Sequence, residues 1–169
     1  MTVAELNALP EPAAREALAA CCAASPWVDA MLAARPWRAP EHPMTTAERA
    51  WGLLTPTQLA EAVAHHPRLG ESHAAASLGE RERAWSAGEQ AGAGAARDDV
   101  RKALAAGNAD YERRFGHTFI LCASGRSAAD MLAALQARLA NDDATEWAIT
   151  ADELRKITLV RLSKLLAGM

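Results

Sequence analysis

Hydrophobic and polar positions repeat at helical spacing along most of this chain. Alanine and leucine dominate, β-branched residues are few, and no stretch of strand length alternates apolar and polar residues. The pattern predicts one all-α domain over residues 1–169, a compact single-domain helical bundle. Four of the predicted helices run from about Glu11 to Ala24, from Trp27 to Arg35, from Thr45 or Thr46 to Leu54, and from Thr145 or Thr150 to Leu166.

A further helix has a clear beginning and a clear end. Thr55 can cap it, Pro56 suits the first helical position, and Gln58 completes a capping box. Pro67 disfavours helical geometry in the residue before it, so we expect the helix to end at His66. The stretch "AHHPRLGE" therefore places a histidine at a helix end, ahead of a turn.

The second half of the chain carries similar signals. A second capping box is predicted from Ser77 and Glu80. The other predicted boundaries are Gly107 and Gly116 as helix ends, and Asn108 and Ser127 as caps. "TFILCA" is a short continuous apolar run, which predicts one buried extended segment near residues 118–123, or the start of a helix.

Composition narrows the class of protein. The chain has 169 residues, half of them apolar, and a formal net charge of -3, so there is no basic excess for binding nucleic acid. The N-terminal "MTVAELNALPEPAARE" lacks the pattern of a secretion signal, and the most apolar stretch is broken too soon to span a membrane. An odd number of cysteines (Cys21, Cys22, Cys122) is typical of reduced protein, so we expect a cytoplasmic location.

His66 is the first of three ionisable residues that break the helical pattern. Histidine carries protons near neutral pH, and a helix end can hold it beside a pocket. A histidine at such a position is nevertheless more often a partner of the helix dipole or a surface residue. The pattern alone leaves both readings open.

Glu89 is the second, because it falls on the inward side of its predicted helix. Ser86 lies three residues before Glu89 and four before Gln90, so the three polar groups can point at one spot. Alternatively, Glu89 lies at the edge of the apolar stripe and reaches water. Gly88 and Gly92 are unfavourable within a helix, which suggests that a ligand or another backbone comes close.

Arg161 is the third. It shares a helix face with Leu154 and Ile157 in a helix that is apolar almost all round. Either its guanidinium reaches the surface along its apolar stem, or it is buried because an anion binds it. Sequence position does not decide between these readings.

Other chemistry has weaker support. Glu61 and His65 are spaced to share a metal ion on one helix face, with His73 as a third ligand, but no HExxH motif is present. We find no glycine-rich phosphate loop and no lysine in an apolar setting. The sequence therefore predicts neither a metal site nor an organic cofactor. A helical ligand-binding domain without turnover, or a metal hydrolase built on those three residues, stays open as an alternative.

Four motifs occur in order: "HPRLGE", "WSAGEQAG", "NADYERRFGHTFILCASGR" and "ELRKITLVRLSKLL". Together they resemble the 2-oxo-4-hydroxy-4-carboxy-5-ureidoimidazoline (OHCU) decarboxylase family, over essentially the whole chain. "LAACCAASPWVDAMLAARPW" resembles its bacterial members. The resemblance implies an all-α enzyme, without a cofactor, that forms (S)-allantoin in urate breakdown and is usually a homodimer.

The resemblance also implies roles for individual residues. His66, Glu89 and Arg161 match the family's catalytic positions. The implied substrate contacts are Pro67, Ser86, Ala87, Gly88, Gln90, Phe119, Ile120, Leu121, Cys122 and Ala123. The last five form a segment expected to meet the substrate largely through backbone groups.

Overall fold

Helices make up most of the protein in a computed structural model, which describes residues 1–39, 42–69, 79–91 and 98–167. In chain order they are α1 Val3–Ala8, α2 Glu11–Ala19, α3 Ser25–Ala33, α4 His42–Trp51, α5 Pro56–Ala64, α6 Glu80–Glu89, α7 Asp98–Phe115, α8 Ala128–Arg138 and α9 Asp143–Leu166. These described ranges contain no β-strand, which confirms the all-α prediction. None of the helices within them is long and apolar enough to cross a bilayer.

The first of two structural units combines Met1–Ala62 with Arg155–Met169. Its core is built from fully buried side chains of several helices: Leu6, Leu18, Trp27, Met31 and Leu162. The indole of Trp27 donates a hydrogen bond to the carbonyl of Ala47 over 3.1 Å, so the buried donor is satisfied.

The second unit is Val63–Leu154. Its core packs side chains from α7 and α8 with those of two loops: Leu69, Leu104, Tyr111, Phe119, Leu121, Ala123, Ala128, Met131 and Leu135. Both loops therefore pack into the same hydrophobic core as the helices that flank them. These loops carry most of the residues predicted to act on a substrate.

Several predicted helix ends are confirmed. The amide of Thr55 donates to Gln58 Oε1 over 2.9 Å, as the capping box requires, and α5 stops at Ala64, just before His66. Gly116 follows α7 with φ +74, a left-handed conformation that favours glycine. Ser127 caps α8 in a reciprocal capping box with Asp130.

The predicted break at Gly107 and Asn108 is wrong, because α7 runs through both residues. A Cβ at Gly107 would lie 2.6 Å from Leu135 Cδ2, so glycine lets α8 pack against α7 at this point. The side-chain Nδ2 of Asn108 donates instead to the carbonyl of Leu69 over 2.8 Å. Glycine serves helix packing here, and asparagine serves a tertiary hydrogen bond.

The N-terminal helices also differ from the prediction. The first helix, α1, was not predicted, although Thr2 and Glu5 form a capping box at its start. The next helix, α2, ends at Ala19 instead of Ala24, and Pro26 lies in the first turn of α3. Proline suits that position because its missing N–H has no partner there in any helix.

Two later helix starts differ as well, since α4 begins at His42 and α9 at Asp143. The side chain of Asp142 accepts a hydrogen bond from the amide of Thr145 over 2.9 Å, as a cap would. The box predicted from Ser77 and Glu80 is wrong for the start of α6, because Gly79 is its N-cap and Glu80 its first residue. Ser77 itself lies outside the described residues.

We expect Gly107→Ala to lower the free energy of unfolding by about 1–3 kcal/mol, as overpacking does. Alanine favours a helix by about 1 kcal/mol, but the fully buried Leu135 cannot move aside freely. Urea unfolding of the variant measures the difference. The control is Gly107→Ala in a Leu135→Ala background, where removal of the clash should make the same substitution stabilising. A stabilised single variant would contradict this account.

Candidate active site

His66 lies in a short turn after α5 that is held by one local and one tertiary hydrogen bond. Its amide donates to the carbonyl of Val63 over 3.0 Å, and its side chain is half-buried while His65 is exposed. Leu69, three residues on, is buried and accepts the hydrogen bond from Asn108 on α7. The turn that begins at Pro67 is thus tied to the core, and the expected end of α5 ahead of this turn is confirmed. The role of His66 stays a prediction.

A second tie on the same turn is electrostatic. Arg68 Nε and Nη2 donate to the two carboxylate oxygens of Glu112 over 2.7 and 2.6 Å. A bidentate pair of this kind fixes the orientation of both side chains. The turn with His66 is therefore attached to α7 through Arg68 as well as through Leu69.

The C-terminal turn of α6 buries three polar side chains, those of Ser86, Glu89 and Gln90. Glu89 is only 8% exposed, so the reading in which it reaches water is wrong. Gln90 Nε2 donates to Ser86 Oγ over 3.3 Å, which brings these two predicted contacts together. Buried polar side chains at a helix end are costly unless they are hydrogen-bonded, and such placements are common at functional sites.

Ala87 and Gly88 lie between these residues, half-buried and exposed respectively. A Cβ at Gly88 would meet no atom within 4 Å among the described residues. The expectation that a ligand or another backbone comes close to Gly88 therefore stays a prediction. Gly92 lies outside the described residues.

The 119–123 segment (Phe119–Ala123) confirms the buried, non-helical stretch that the sequence predicts. Four of its side chains are buried and that of Cys122 is half-buried. The amide of Cys122 donates to Glu153 Oε2 over 2.7 Å, and the carbonyl of Ile120 accepts from Arg138 Nη1 over 2.7 Å. Backbone groups in this segment are thus held by side chains of α8 and α9.

The thiol of Cys122 shows how the segment lies relative to Glu89. Burial raises the pKa of Cys122, and the charges of Glu153 and Glu89 raise that pKa further. The thiol is therefore protonated near neutral pH and a poor nucleophile. Since the charge of Glu89 acts on Cys122, the segment and the end of α6 lie within electrostatic reach of each other.

Sequence reasoning missed a buried polar cluster around Arg138, which we term the Arg138 network: Arg138, Tyr111, Asn141, Glu146, Thr150 and the carbonyl of Ile120. Arg138 Nε and Nη2 donate to Glu146 Oε1 over 2.8 and 2.6 Å. Nη2 also reaches Thr150 Oγ1 over 2.9 Å, and Tyr111 donates its hydroxyl proton to Glu146. The network therefore anchors the segment to α7, α8 and α9.

The charge of Glu146 is stabilised by its partners. Burial would raise the pKa of this carboxyl, but the hydrogen bonds from Arg138, Tyr111 and Asn141 outweigh burial and keep it below the usual 4.5. Burial and the hydrogen bond to Glu146 raise the pKa of Tyr111. The network thus holds a buried carboxylate, a buried guanidinium and a neutral phenol at neutral pH.

Arg161 lies on α9 in the first unit, whereas the other site residues belong to the second. Its side chain is 1% exposed, so the reading in which it reaches the surface is wrong. The expectation that an anionic group binds it stays a prediction. Buried arginines are rare because the guanidinium always carries its charge.

The metal reading finds no support among the described residues, which contain no group of three His, Cys, Asp or Glu side chains placed to hold a metal ion. Glu61 and His65 are exposed on α5 and in the turn after it. His73 lies outside the described residues, so the three-ligand hypothesis itself stays open.

The described residues form an all-α fold that buries the polar side chains of Ser86, Glu89 and Gln90 at a helix end. A protein-family model described as OHCU decarboxylase matches residues 7–163, and the chain belongs to this family. A solved structure described as OHCU decarboxylase in the presence of (S)-allantoin matches with a TM-score of 0.74 and 29% identity, covering 90% of this chain and 98% of that one.

Further similarities agree with this family. The uric acid degradation bifunctional protein TTL of Arabidopsis thaliana is 34% identical over 146 residues, 86% of this chain and 45% of that protein. A 2-oxo-4-hydroxy-4-carboxy-5-ureidoimidazoline decarboxylase of Amia calva is 36% identical over 59 residues, 35% of this chain and 34% of that protein. The matches span less than half the length of these curated relatives. A solved (S)-allantoin synthase shares the fold, with a TM-score of 0.68 and 18% identity over 97% of this chain and 54% of that one.

We expect Glu146→Gln to flatten the dependence of stability on pH. The folded-state pKa of Glu146 lies below 4.5, so its contribution is present above about pH 4.5 and is lost as the pH falls through the folded-state pKa. Melting temperatures of the wild type and the variant, measured from about pH 7 down to about pH 3, compare the slopes.

The variant should also be less stable at neutral pH, by about 3–5 kcal/mol, because Arg138 would lose its charged partner. Asp143→Asn is the control, since Asp143 is exposed on the same helix. Equal acid slopes for wild type and Glu146→Gln would contradict the assignment of this buried charge.

Proposed function

We propose that the protein decarboxylates OHCU to (S)-allantoin, in the urate-to-allantoin branch of purine breakdown, without a metal ion or an organic cofactor. Membership of the OHCU decarboxylase family supports this proposal. The observation that carries it is the burial of Glu89 beside the Ser86–Gln90 hydrogen bond, within electrostatic reach of Cys122. Two motifs that resemble the family's substrate-binding stretches lie in the same unit.

The chemistry requires little from the protein beyond orientation and a proton. In OHCU a quaternary carbon bears a hydroxyl, a carboxylate and a ring nitrogen. The bond from that carbon to the carboxylate breaks, CO₂ leaves, and the electron pair moves into the conjugated ring. This leaves a double bond between that carbon and its ureido-bearing ring neighbour, while the ring nitrogen takes up a proton. A proton is then delivered to one face of the ureido-bearing carbon, which gives a single enantiomer, and the hydroxyl loses its proton as the first carbon becomes a carbonyl. The ring itself is the electron sink, so no cofactor has to supply one.

His66 is the proposed proton donor. Its imidazole is half-buried in a turn held by Val63 and, through Leu69, by Asn108. Such a group is positioned by the scaffold yet open to a bound molecule, as a general acid must be. Its hydrogen bond to the substrate hydroxyl or the departing carboxylate would precede delivery of the proton. Pro67 shapes the turn beside it.

Glu89, Gln90 and Ser86 are proposed to bind the ureido and ring groups. A carboxylate accepts hydrogen bonds from N–H groups, and a carboxamide both donates and accepts, which suits the alternating N–H and C=O groups of a ureide. Ala87 and Gly88 lie between these residues, and no atom of the described residues comes within 4 Å of a Cβ placed at the exposed Gly88. Phe119–Ala123 would supply further backbone contacts.

Arg161 is proposed to bind a ring or ureido carbonyl, where negative charge grows as CO₂ leaves. A guanidinium paired firmly with the departing carboxylate would instead stabilise the ground state and slow the reaction. Its burial makes a fully desolvated and therefore strong interaction available.

We also infer a cytoplasmic homodimer whose chain forms one domain over residues 1–169. The odd number of cysteines, none of which is in a disulfide, supports a reducing compartment. Light scattering during gel filtration tests the dimer, and a single cooperative unfolding transition would support one domain.

We expect His66→Asn to lower kcat by about two to four orders of magnitude, the usual contribution of a positioned acid, while the protein stays folded. Freshly generated OHCU is mixed with enzyme, and circular dichroism follows the formation of (S)-allantoin. His65→Asn is the matched control, because His65 is the exposed neighbour and should leave the rate unchanged. Near-wild-type turnover by His66→Asn would overturn its assignment. A wild type that does not exceed the spontaneous rate would favour a ligand-binding domain without turnover.

Chelators should leave the rate unchanged. The proposed residues supply orientation and a proton, and neither depends on a metal ion. Steady-state rates before and after dialysis against EDTA, with and without added Zn²⁺, test this expectation. A rate that falls with chelator and returns with Zn²⁺ would favour the hydrolase built on Glu61, His65 and His73.

A further inference from the structure

Two charged side chains from different helices hold the backbone on either side of Leu121. Arg138, at the end of α8, donates from Nη1 to the carbonyl of Ile120 over 2.7 Å. Glu153, on α9, accepts the amide proton of Cys122 at Oε2 over 2.7 Å. Both side chains are at least nine-tenths buried. Hydrogen bonds to ionised groups of this kind are short and strong.

Peptide planarity turns these two contacts into a constraint on Leu121. The peptide bonds on either side of it are trans, and in a trans peptide the C=O and N–H point in opposite directions. Because the carbonyl of Ile120 points at Arg138, the N–H of Leu121 points away from Arg138. Because the amide of Cys122 points at Glu153, the carbonyl of Leu121 points away from Glu153. One residue thus has both polar backbone groups directed away from its anchors.

The Arg138 anchor is itself fixed. The guanidinium of Arg138 is shared among Glu146, Thr150 and the Ile120 carbonyl, so it cannot rotate without breaking several buried hydrogen bonds. Turning either peptide group would leave a buried charged side chain without one of its partners, which is costly. The orientation of the segment is therefore set before any ligand binds.

The anchored stretch is within electrostatic reach of Glu89, one of the proposed substrate contacts. The charge of Glu89 acts on the Cys122 thiol, as does that of Glu153. Glu153 is thus tied to the backbone of a residue that Glu89 also influences. Nothing in the proposed chemistry assigns a role to Arg138 or Glu153.

We propose that Arg138 and Glu153 are positioning residues, which orient the peptide groups around Leu121 so that its N–H and C=O form a donor–acceptor pair for the amide groups of a ureide. This inference rests on the proposed function, because it takes the 119–123 segment as part of the substrate site. A donor and an acceptor on one residue match the adjacent C=O and N–H of a ureido group or an imidazoline ring. Misorientation by even a small angle would weaken both contacts at once.

Substitutions at Glu153 test whether this side chain affects kcat/KM. Glu153→Ala removes the acceptor and should lower kcat/KM roughly 10- to 100-fold, with weaker binding of (S)-allantoin. Glu153→Gln keeps an oxygen that can accept the Cys122 amide proton, so it should recover most of the lost activity. Val28→Ala, in the core of the first unit, is the matched control for a loss of stability alone and should keep wild-type kcat/KM while folded. Wild-type kcat/KM in folded Glu153→Ala would overturn the proposal.

Hydrogen exchange of the wild type tests the geometry even if Glu153→Ala does not fold. In the free protein the Cys122 amide should be protected, because Glu153 already binds it. On addition of (S)-allantoin the Leu121 amide should gain protection and shift its resonance, while the Cys122 amide changes little. An unprotected Cys122 amide in the free protein, or a Leu121 amide that does not respond to bound (S)-allantoin, would overturn the proposal.

Different outcomes would overturn the proposed function and the positioning role. If the wild type does not accelerate the loss of OHCU, the proposed function fails, whereas the Cys122 amide in the free protein still reports whether Glu153 holds the segment. If the wild type is active and Glu153→Ala matches it, the function stands and the positioning role fails.

Discussion

The pairing of Arg138 with Glu146 is the interaction on which the second unit depends. A guanidinium and a carboxylate are buried together. The cost of removing both from water is offset only because each guanidinium nitrogen has a hydrogen-bond partner. Those partners come from α7, α9 and the 119–123 segment, so one ion pair ties three helices to an irregular loop. An apolar cluster could hold the helices as firmly. A backbone carbonyl, however, can be held only by a hydrogen-bond donor. In this core the donor to the Ile120 carbonyl is the charged guanidinium of Arg138.

The N–H and C=O groups of irregular backbone inside a protein need hydrogen-bond partners from elsewhere in the molecule. Helices form these hydrogen bonds internally. The 119–123 segment is buried but not helical, so Arg138 and Glu153 provide hydrogen bonds that a neighbouring strand would provide in a sheet. The ends of α5 and α6 place side chains in a similar way. His66 and Glu89 both lie where a helix stops, so the scaffold sets the positions of both side chains.

Local rules predicted much of this architecture. The caps at Thr55 and Ser127 and the stop at Gly116 depend on neighbours within a few residues, and the structure bears them out. The burial of Glu89 followed from helical periodicity. Gly107 and Asn108 were misread because their partners, Leu135 and Leu69, lie about thirty and forty positions away in sequence.

The Arg138 network escaped prediction for the same reason. Arg138 and Glu146 are eight residues apart across a helix boundary, and Tyr111 is another 27 residues before Arg138. Each, taken alone, looks like an ordinary residue of a solvated helix face, and a guanidinium in such a stretch usually faces water. Resemblance to a family identified the residues expected to touch the substrate. It gave no indication of the side chains that hold those residues in place.

The tie between Arg68 and Glu112 has a consequence for the conditions in which the protein works. Both side chains are partly exposed, unlike those of the Arg138 network. Salt screens exposed pairs, over a Debye length of about 8 Å at physiological ionic strength, and leaves buried pairs largely unaffected. Rising ionic strength therefore weakens one of the two ties between α7 and the turn that carries His66, whereas the buried contacts of the 119–123 segment are little affected. Of the proposed functional groups, the proton donor would thus respond to salt before the backbone contacts did.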